Sequence, residues 1–386
     1  MEAVALFDFF RYGCSVFFVA LQGLLMFGLL REWRRDKRAV HAGMVGEPAK
    51  VSVIIPVHNE QERMMRLLET ILVQDYPAEI VFVDDRSDDE SPAMLAACAE
   101  RAGALGINCR IITLTENPGP NFKQFALSRG FAEAGGELLL LTDGDCTLSP
   151  GWIRAMVARM GDRSIGAMIG PVFKRADAGG FLARYQCYDH AIRYNHLAGA
   201  IGLGAAAGGF GNNLIVRRAA LEAAGGYGAV HQGPTEDAAL IALIRRHSGY
   251  RIAASVLTDT AVETCGEESW RKFVAQTLRW NNGGLFSRDL FTRLGYNLLM
   301  ILSGACTLAA FLLPFFPKLW PLPLAMLIVM LGNTLAMFVL FRKKLPKAGP
   351  AQLGYVPALF FTPPFFTLIT LMGYCRVKAR WKGKKI

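Results

Sequence analysis

The stretch VSVIIPVHNE at residues 51–60 decides the fold, because it passes from a β-strand directly into a group of polar residues. Its first seven residues are rich in β-branched side chains, which favours a strand. Helical patterns separate it from three further strand-like runs at residues 79–83, 109–114 and 137–141. This alternation of strands and helices predicts an α/β fold with a mainly parallel sheet and helices on both faces.

Polar motifs follow three of the four predicted strands. They are Pro56-Val57-His58-Asn59-Glu60 after the first strand, Asp84-Asp85 after the second, and Asp143-Gly144-Asp145 after the fourth. A single aspartate pair is more often a turn or a helix cap. However, the carboxyl ends of parallel strands meet at one edge of a sheet, where ligands bind. We therefore expect an acidic patch there, which a cation or hydrogen-bond donors must stabilise.

The Asp-x-Asp tripeptide at residues 143–145 predicts a metal site. Carboxylate oxygens suit Mg²⁺ or Mn²⁺, and such metals often bridge one or two carboxylates to substrate phosphates. We expect Asp145 to be the direct ligand, with Asp143 beside it. The sequence lacks a G-x-x-x-x-G-K-[ST] motif and a G-x-G-x-x-G after the first strand, which argues against a P-loop enzyme and a Rossmann dehydrogenase.

The composition indicates a protein that works at a membrane. Hydrophobic residues make up 52% of the chain and the mean hydropathy is +0.28, which is high for a soluble enzyme. The net charge is +10, and its lysines and arginines crowd beside apolar segments, which favours a lipid surface over nucleic acid. None of the eight cysteines forms a C-x-x-C pair, so we expect reduced thiols in a protein that faces the cytosol.

Apolar segments at both ends of the chain predict membrane helices. Residues 12–30 are long enough to span the hydrocarbon core, and the basic run from Arg31 to Arg38 should keep the following part in the cytoplasm. A cleaved signal peptide is disfavoured, because the charge follows the apolar stretch. Further apolar segments occupy residues 296–316, 322–341 and 354–374.

The last apolar segment conflicts with the positive-inside rule. Simple alternation places the basic tail that follows it, from Arg376 to Lys385, outside the cytoplasm. One resolution is that residues 354–374 do not span the membrane. Pro363-Pro364 at the middle of this segment could make it broken, re-entrant or interfacial.

Six motifs together resemble those of the inverting family 2 glycosyltransferases with a GT-A fold, particularly the membrane-bound branch, over roughly residues 50–282. Besides the three strand-end motifs, they are Lys123 ahead of Ala126-Leu127, Thr235-Glu236-Asp237, and Gln276-Thr277-Leu278-Arg279-Trp280. Their order and spacing are specific, although each alone is weak. Two departures, which remove no reactive group, are Gln124-Phe125 after the lysine and Thr277-Leu278 inside the last motif.

The resemblance implies a role for each motif. Asp84 and Asp85 would hold the uracil or ribose of a UDP-sugar, and Pro56 to Glu60, including His58, would line the nucleotide pocket. Asp143 would be shared between metal and sugar, and Lys123 would lie near the phosphates. Asp237 would be the general base. The side chains of the last motif would close over the diphosphate and the acceptor; they are Gln276, Arg279 and Trp280.

The residues themselves are consistent with a base at position 237. Thr235 is a plausible N-cap, and Asp237 would then sit in the first helical turn, where the helix dipole favours its ionised form. The competing interpretation is that Glu236 and Asp237 are only helix-start charges. We expect Glu236, Trp280 and the two asparagines at the end of a glycine-rich loop, Asn212 and Asn213, to contact the acceptor.

These patterns divide the chain into six parts. They are an N-terminal transmembrane helix at 1–31, a basic linker at 32–48, a GT-A catalytic domain at 49–265, interfacial helices at 266–294, transmembrane or re-entrant segments at 295–375, and a basic tail at 376–386. We expect an integral protein of the inner cell membrane whose catalytic domain is cytoplasmic.

The sequence therefore predicts metal-assisted transfer of a sugar, with inversion, from a UDP-sugar to a hydroxyl of a membrane-associated, lipid acceptor. A processive polysaccharide synthase is the close alternative, and it would make sugar ladders instead of a single addition. A non-catalytic membrane scaffold of the same fold and a membrane nucleotidyl- or phosphotransferase are alternatives from other classes. The sequence identifies neither the sugar nor the acceptor.

Overall fold

The computed structural model describes residues 2–42, 48–118, 121–175, 179–205, 208–233, 235–347, 350–377, 380–381 and 384–385. Contacts divide the chain into two compact units, which are described separately. Residues 31–175 and 208–265 form the first, here named the sheet unit. Residues 1–30, 176–207 and 266–386 form the second, here named the helical unit.

The helices and strands have the following bounds. The helices are α1 Glu2–Ala42, α2 Met65–Ile71, α3 Ser91–Ala104, α4 Phe122–Glu133, α5 Trp152–Arg159, α6 Gly180–Gly202, α7 Arg218–Ala223, α8 Glu236–His247, α9 Trp270–Leu285, α10 Leu290–Leu312, α11 Pro321–Phe341 and α12 Val356–Tyr374. The strands are β1 Val51–Val57, β2 Glu79–Asp85, β3 Cys109–Leu114, β4 Leu138–Leu141, β5 Cys146–Leu148, β6 Ile165–Ile169, β7 Val172–Lys174, β8 Leu214–Arg217, β9 Arg251–Ala254, β10 Val262–Thr264, β11 Arg380–Trp381 and β12 Lys384–Lys385.

Within its described residues, the sheet unit contains a mainly parallel sheet of seven strands in the order β3-β2-β1-β4-β8-β6-β9. The first four in this order run parallel, and they are the four strands that the sequence predicts. Strand β8 is antiparallel to both of its neighbours. A smaller sheet, β5-β10-β7, follows the end of β4. Because Val57 pairs with Asp84, the polar segments after β1 and β2 leave the sheet side by side.

Helices cover both faces of the large sheet. On one face, α2, α3 and α5 bury apolar side chains against alternate residues of β1, such as Val53 and Ile55. On the other face, α4 approaches so closely that a Cβ on Gly130 would lie 2.4 Å from Ile54 Cγ2. Only glycine permits this approach without a shift of the neighbours. The packing fixes the height of α4 and of the residues at its start.

The predicted linker at 32–48 is wrong in its first part, because α1 continues without a break to Ala42. Two acidic residues of this extension, Glu32 and Asp36, are fully buried in the sheet unit. Arg159 Nε donates to Asp36 Oδ1 at 2.9 Å. The backbone N–H groups of Ala254 and Val256 donate to Glu32 and Asp36 at 3.1 and 2.6 Å. Residues 43–47 of the predicted linker lie outside the described residues.

The helical unit carries the apolar segments. Among the described residues, four helices are long and apolar enough to cross a membrane, at residues 7–41, 290–312, 317–341 and 353–374. Of the options that the sequence left open for this segment, a break does not occur, because α12 runs through Pro363 and Pro364 as one helix. The helix α6 is more polar, yet it packs against α11 and α12. The predicted basic tail lies partly outside the described residues.

Helices α1 and α6 meet through glycines inside the helical unit. A Cβ on Gly28 would lie 2.0 Å from the carbonyl oxygen of Gly199, and a Cβ on Gly202 would lie 2.0 Å from that of Gly28. Backbones this close leave no room for any side chain. Small residues at such contacts are typical of helices that associate within a membrane.

Candidate active site at the carboxyl edge of the sheet

The loops after β1 and β2 are held together by paired side chains. Asn59 Nδ2 donates to Asp88 Oδ1 at 2.6 Å, and the backbone N–H of Asp88 donates to Asn59 Oδ1 at 2.9 Å. Asn59 and Arg86 have positive φ values of 52° and 57°. Non-glycine residues in this region are uncommon and cluster at functional sites. Helix α2 begins only at Met65, so Asn59 belongs to the loop and not to the helix start.

Asp84 and Asp85 are almost fully buried where β2 ends. Asp84 Oδ1 accepts a hydrogen bond from the backbone N–H of Ser87 at 3.2 Å. Asp85 accepts from Arg86 Nε and from Asn117 Nδ2, each at 2.9 Å. The imidazole Nδ1 of His58 lies 2.7 Å from the carbonyl oxygen of Asp85. The predicted nucleotide residues are thus joined in one network.

Gly144 brings the Asp-x-Asp segment against the loop after β1. A Cβ on Gly144 would lie 3.4 Å from Glu60 Cγ and 3.7 Å from Val57 Cγ2. The segments that begin at Pro56 and at Asp143 are therefore neighbours, as the parallel sheet predicts. Beyond Gly144, Asp145 Oδ2 accepts a hydrogen bond from the hydroxyl of Thr264 in β10 at 2.9 Å.

Lys123 joins the sheet edge to α8. It lies in the first turn of α4, whose N-cap Asn121 accepts from the backbone N–H of Gln124 at 3.2 Å. Its Nζ lies 2.7 Å from Asp143 Oδ1 and 3.5 Å from Glu236 Oε1. Burial opposes the charge on this ammonium group, but the two carboxylates outweigh it and raise the pKa of Lys123.

Asp237 is held by backbone donors beside this cluster. Its Oδ2 accepts from the N–H of Gly211 at 2.9 Å, and its Oδ1 accepts from the N–H of Ala238 at 2.8 Å. Burial and the neighbouring charge of Glu236 raise the pKa of Asp237 to about 6. Helix α8 begins at Glu236 after Thr235, as predicted, although the Thr235 side chain makes no capping hydrogen bond. A carboxylate with a pKa near neutrality suits proton abstraction.

The expectation that Asn213 contacts an acceptor is not supported by its surroundings. The side chain is fully buried, and its Nδ2 donates to the carbonyl oxygens of Pro171 and Thr260 at 2.8 and 2.9 Å. Its Oδ1 accepts from Trp152 Nε1 at 3.1 Å. Both amide protons are used, so Asn213 ties three segments of the sheet unit together. Asn212 is half-buried, and its contact with an acceptor stays a prediction.

The last predicted motif lies on α9 in the helical unit. Gln276 Nε2 donates to Glu267 Oε1 at 2.7 Å. The ring of Trp280 lies 5.3 Å from that of His190 on α6, and the guanidinium of Arg193 lies 5.6 Å from the centre of the Trp280 ring. Arg279 is half-buried on the same helix. The three motif side chains thus share one helix, as their spacing predicts, and their role at a substrate stays a prediction.

Sequence reasoning missed several residues that hold the site. They include Asn117 and Asn121, which belong to none of the predicted motifs. Their amide groups donate to Asp85 and, at 2.7 Å, to the carbonyl oxygen of Gly233. A turn-rich stretch between a strand and a helix, at the edge where ligands bind, was the signal that could have identified them.

The strand-end carboxylates fit a metal that is shared with a substrate. No group of three or more His, Cys, Asp or Glu side chains in the described ranges could hold a metal alone. Asp143 and Asp145 supply carboxylate oxygens two residues apart, and Asp145 Oδ1 has the Cys146 thiol at 3.7 Å as a neighbour. Mg²⁺ and Mn²⁺ sites that take one or two carboxylates complete their coordination with phosphate oxygens and water. The donor set therefore fits binding together with a diphosphate.

Comparisons with known proteins agree on one class. The model described as Glycosyl transferase family 21 matches residues 15–386. The probable glycosyltransferase YdaM of Bacillus subtilis is 28% identical over 66% of this chain and 58% of its own length. The undecaprenyl-phosphate 4-deoxy-4-formamido-L-arabinose transferase of Serratia proteamaculans is 38% identical over 28% of this chain. The match covers 32% of that protein, so the chain spans about a third of its length.

A solved structure shows the same fold. The mannosyltransferase PcManGT of Pyrobaculum calidifontis, in complex with GDP-Man and Mn²⁺, superposes with a TM-score of 0.54 at 19% sequence identity. The superposition covers 94% of this chain and 99% of that chain. The α/β fold of GT-A type that the sequence predicts, with apolar helices toward the two ends of the chain, is confirmed.

Proposed function

The chain belongs to glycosyl transferase family 21 and is a glycosyltransferase, and we propose which glycosidic bond it forms and which residue acts as the base. It moves a sugar from a UDP-sugar to a hydroxyl of a membrane lipid, with inversion, and Asp237 is the general base. The predicted enzyme class is confirmed, whereas the narrower family 2 assignment is not, since the matching family is 21.

One observation carries this proposal, which is the meeting of charged groups from three distant segments around Lys123. Asp143 follows β4, Lys123 begins α4 and Glu236 begins α8, and the lysine Nζ lies within 3.5 Å of both carboxylates. Partly buried charges that converge from distant segments and shift one another's pKa values are typical of functional sites. Asp237, adjacent in the chain to Glu236, places a proton acceptor at the border of the cluster.

The acidic pair at the end of β2, Asp84 and Asp85, supports a nucleotide at the other side of the sheet edge. Asp85 is oriented by Arg86 and Asn117, so its carboxylate is fixed before a ligand arrives. Fixed acceptors suit the N–H and hydroxyl groups of a base and a ribose. We propose UDP, and not another nucleoside diphosphate, because of the sequence resemblance.

A divalent metal would be held by Asp145 and Asp143. When bound, it supplies neutralisation of the diphosphate leaving group. Lys123, which is paired with Asp143, would neutralise part of the remaining negative charge of the phosphates. Asp237 would take the proton of the acceptor hydroxyl as the oxygen attacks the anomeric carbon on the face opposite the leaving group, which inverts the configuration.

The apolar helices support a lipid acceptor and a membrane location. Four stretches in the described part of the chain are long and apolar enough to span a membrane, which fits an acceptor dissolved in the bilayer. We propose an inner-membrane protein whose catalytic side is cytoplasmic, because basic residues follow the first apolar segment.

A second candidate acceptor is a lipid phosphate, because relatives such as the Serratia proteamaculans enzyme are named for undecaprenyl phosphate. The two acceptors differ in chemistry. A hydroxyl must lose its proton during attack, whereas a phosphate is already ionised at neutral pH and needs no base. Dependence on Asp237 therefore separates them.

The decisive experiment incubates the purified protein in lipid vesicles with a panel of UDP- and GDP-sugars and analyses the lipid extract by mass. We expect one sugar added per lipid, from a UDP-sugar. Asp237→Asn should keep donor binding and lower the transfer rate about 10²- to 10⁴-fold, the usual contribution of a general base. Glu222→Gln, at an exposed carboxylate of α7, is the control and should act as wild type.

Several outcomes would contradict the proposal. Full activity of Asp237→Asn with a lipid phosphate would favour the second acceptor, and ladders of sugars would favour a synthase. Turnover of Asp145→Ala that is unchanged with a chelator present would exclude the metal role. Transfer from GDP-sugars alone would overturn the choice of donor.

A further inference from the structure

The helical unit has two recognisable ends. At one end, Arg11 of α1 donates to the carbonyl oxygen of Lys318 in the connection between α10 and α11, and the ring of Tyr12 lies 6.2 Å from that of Trp320. We name this the distal end. At the other end, here the proximal end, α9 passes into α10 at residues 286–289 and α11 finishes at Phe341.

Helix α12 starts at the proximal end. The ring of Tyr355, directly before α12, lies 5.9 Å from Phe338 in the last turn of α11. It also lies 6.4 Å from Tyr188 on α6. Since α11 runs from the distal end to the proximal end, these contacts place the entry of α12 near the surface at which α11 leaves the bundle.

The last turn of α12 also lies at the proximal end. A Cβ on Gly373 would sit 2.7 Å from Asn282 Oδ1 and 2.9 Å from Leu285 Cδ1, both on α9. The ring of Tyr374 lies 6.4 Å from Phe286 in the turn between α9 and α10. Its hydroxyl donates to Asn297, which is about 10 Å along α10 from its start at a rise of about 1.5 Å per residue.

The direction of α12 agrees with these end contacts. A Cβ on Gly304 of α10 would lie 3.8 Å from Thr367 Cγ2. From Thr367 to Tyr374, α12 therefore passes from Gly304 back to Asn297, which is toward the start of α10. A helix that crossed the membrane from the proximal end would move toward the distal end over the same residues.

Besides α10, α12 packs against α9, a helix that cannot lie in the hydrocarbon core. Trp270 and Phe273 of α9 contact Phe361 and Phe365 of α12, with ring centres 5.4 and 5.6 Å apart. The same helix exposes Arg271, Lys272 and other polar groups, which belong at a membrane surface. Because α12 stays beside α9 from Phe361 to Gly373, it also stays near that surface.

We propose that α12, as an unbroken helix, lies within the leaflet on the side of α9 with both of its ends at that side, and does not cross the membrane. Its lipid-facing stripe, Val356, Phe360, Leu368 and Leu371, is 46–64% exposed and would contact the acyl chains of that leaflet alone. The chain then leaves α12 on the side of α9, and the backbone at Arg380–Trp381 indeed lies beside α9. The basic tail thereby obeys the positive-inside rule.

Cys375 is a native probe for this topology, because it follows the last residue of α12 and is exposed. The other seven cysteines are replaced by serine or alanine, and intact cells are treated with a membrane-impermeant maleimide. We expect Cys375 to react only after permeabilisation. In the cysteine-free chain, Lys272→Cys on α9 should behave in the same way, and Lys318→Cys at the distal end should react in intact cells.

Reaction of Cys375 in intact cells, matching Lys318→Cys, would overturn the proposal. A second measurement leaves the cysteines in place and fuses the C-terminus to either green fluorescent protein or alkaline phosphatase. Fluorescence with an inactive phosphatase supports a helix α12 that does not cross the membrane, and the reverse pattern refutes it. These fusions decide the question if the cysteine variants fail to fold or if Cys375 reacts from neither side. Neither readout depends on transferase activity.

Discussion

The sheet unit and the helical unit hold buried charge in different ways. In the sheet unit, Arg159 pairs with Asp36 and Glu32, and backbone N–H groups of Ala254 and Val256 donate to the same carboxylates. In the helical unit, Arg193 pairs with Asp189 on its own helix at 2.8 Å. Aromatic rings surround that guanidinium, with Phe366 at 4.4 Å and Trp280 at 5.6 Å.

The two units hold buried charge differently because helices and strand ends differ in how many backbone N–H groups they leave without an acceptor. A helix uses its own N–H groups except in its first turn, so a charge among helices must find side chains and rings. Strand ends, loops and first helical turns leave N–H groups free to bind carboxylates, as the loop residue Gly211 and the first-turn residue Ala238 do for Asp237. The sheet unit can therefore fix an acidic site with the backbone, whereas the helical unit positions its charges through neighbouring side chains.

The largest expected effect comes from removing the cation of the sheet unit. Arg159→Met leaves the fully buried Asp36 without its counter-charge and leaves the buried Glu32 with Arg35 as its cation, and we expect it to lower the free energy of unfolding by about 3–5 kcal/mol. Denaturant unfolding of the detergent-solubilised protein measures this. The control Arg154→Met lies on the same helix, but its partner Asp75 is exposed, so it should cost less than about 1 kcal/mol.

The matching change in the helical unit should be smaller. Asp189→Asn removes the counter-charge of Arg193, but the rings and 17% exposure of the arginine side chain remain. We expect a loss of about 1.5–3 kcal/mol in the same unfolding measurement, the range for a hydrogen bond to a charged group. A loss equal to that of Arg159→Met would show that the rings do not help to hold the charge.

The glycine contact tests packing without charge. Gly28→Ala places a methyl group against the backbone of Gly199, and we expect a stability loss of about 1–3 kcal/mol from overpacking. Gly23→Ala, on the same helix with no atom within 4 Å of the added carbon, should be neutral or slightly stabilising. Equal thermal midpoints for the two variants would refute the close contact between α1 and α6.

The smallest expected effect is a shift of the pH profile. On the proposed role of ionised Asp237 as the base, kcat/KM should rise as the pH increases through about 6. Glu236→Gln removes the like charge that helps to raise this pKa, so the acid limb should move to lower pH by less than about 1 unit. An unchanged or upward-shifted limb would mean that the group titrating in the profile is not Asp237.

The large sheet and its polar edge could be predicted because both depend on local patterns. Strand propensity located the first four strands, and parallel pairing then forced Asp84 and Asp143 to one edge. The packing distance of α4 from the sheet could not be predicted from local patterns, because it depends on the close approach of Gly130 to Ile54. The ion pair between Lys123 and Asp143 follows from that packing.

Long-range hydrogen bonds account for the errors. Asn213 follows a glycine-rich loop and looked available to an acceptor, yet its partners Trp152, Pro171 and Thr260 come from three other segments. Likewise, Glu32 and Asp36 looked like linker residues because Arg159 lies more than a hundred positions further along the chain. Neither the periodicity of apolar residues nor the secondary-structure propensity of a segment predicts such long-range pairs.

The burial of Glu32 and Asp36 also determines how the gene can be shortened. A chain that begins at Lys50 keeps every strand of the large sheet, but it loses the two acids that neutralise Arg159. The amide groups of Ala254 and Val256 would lose their acceptors at the same time. A soluble fragment suitable for expression must therefore retain the end of the first helix, and one cut immediately before the first strand should aggregate.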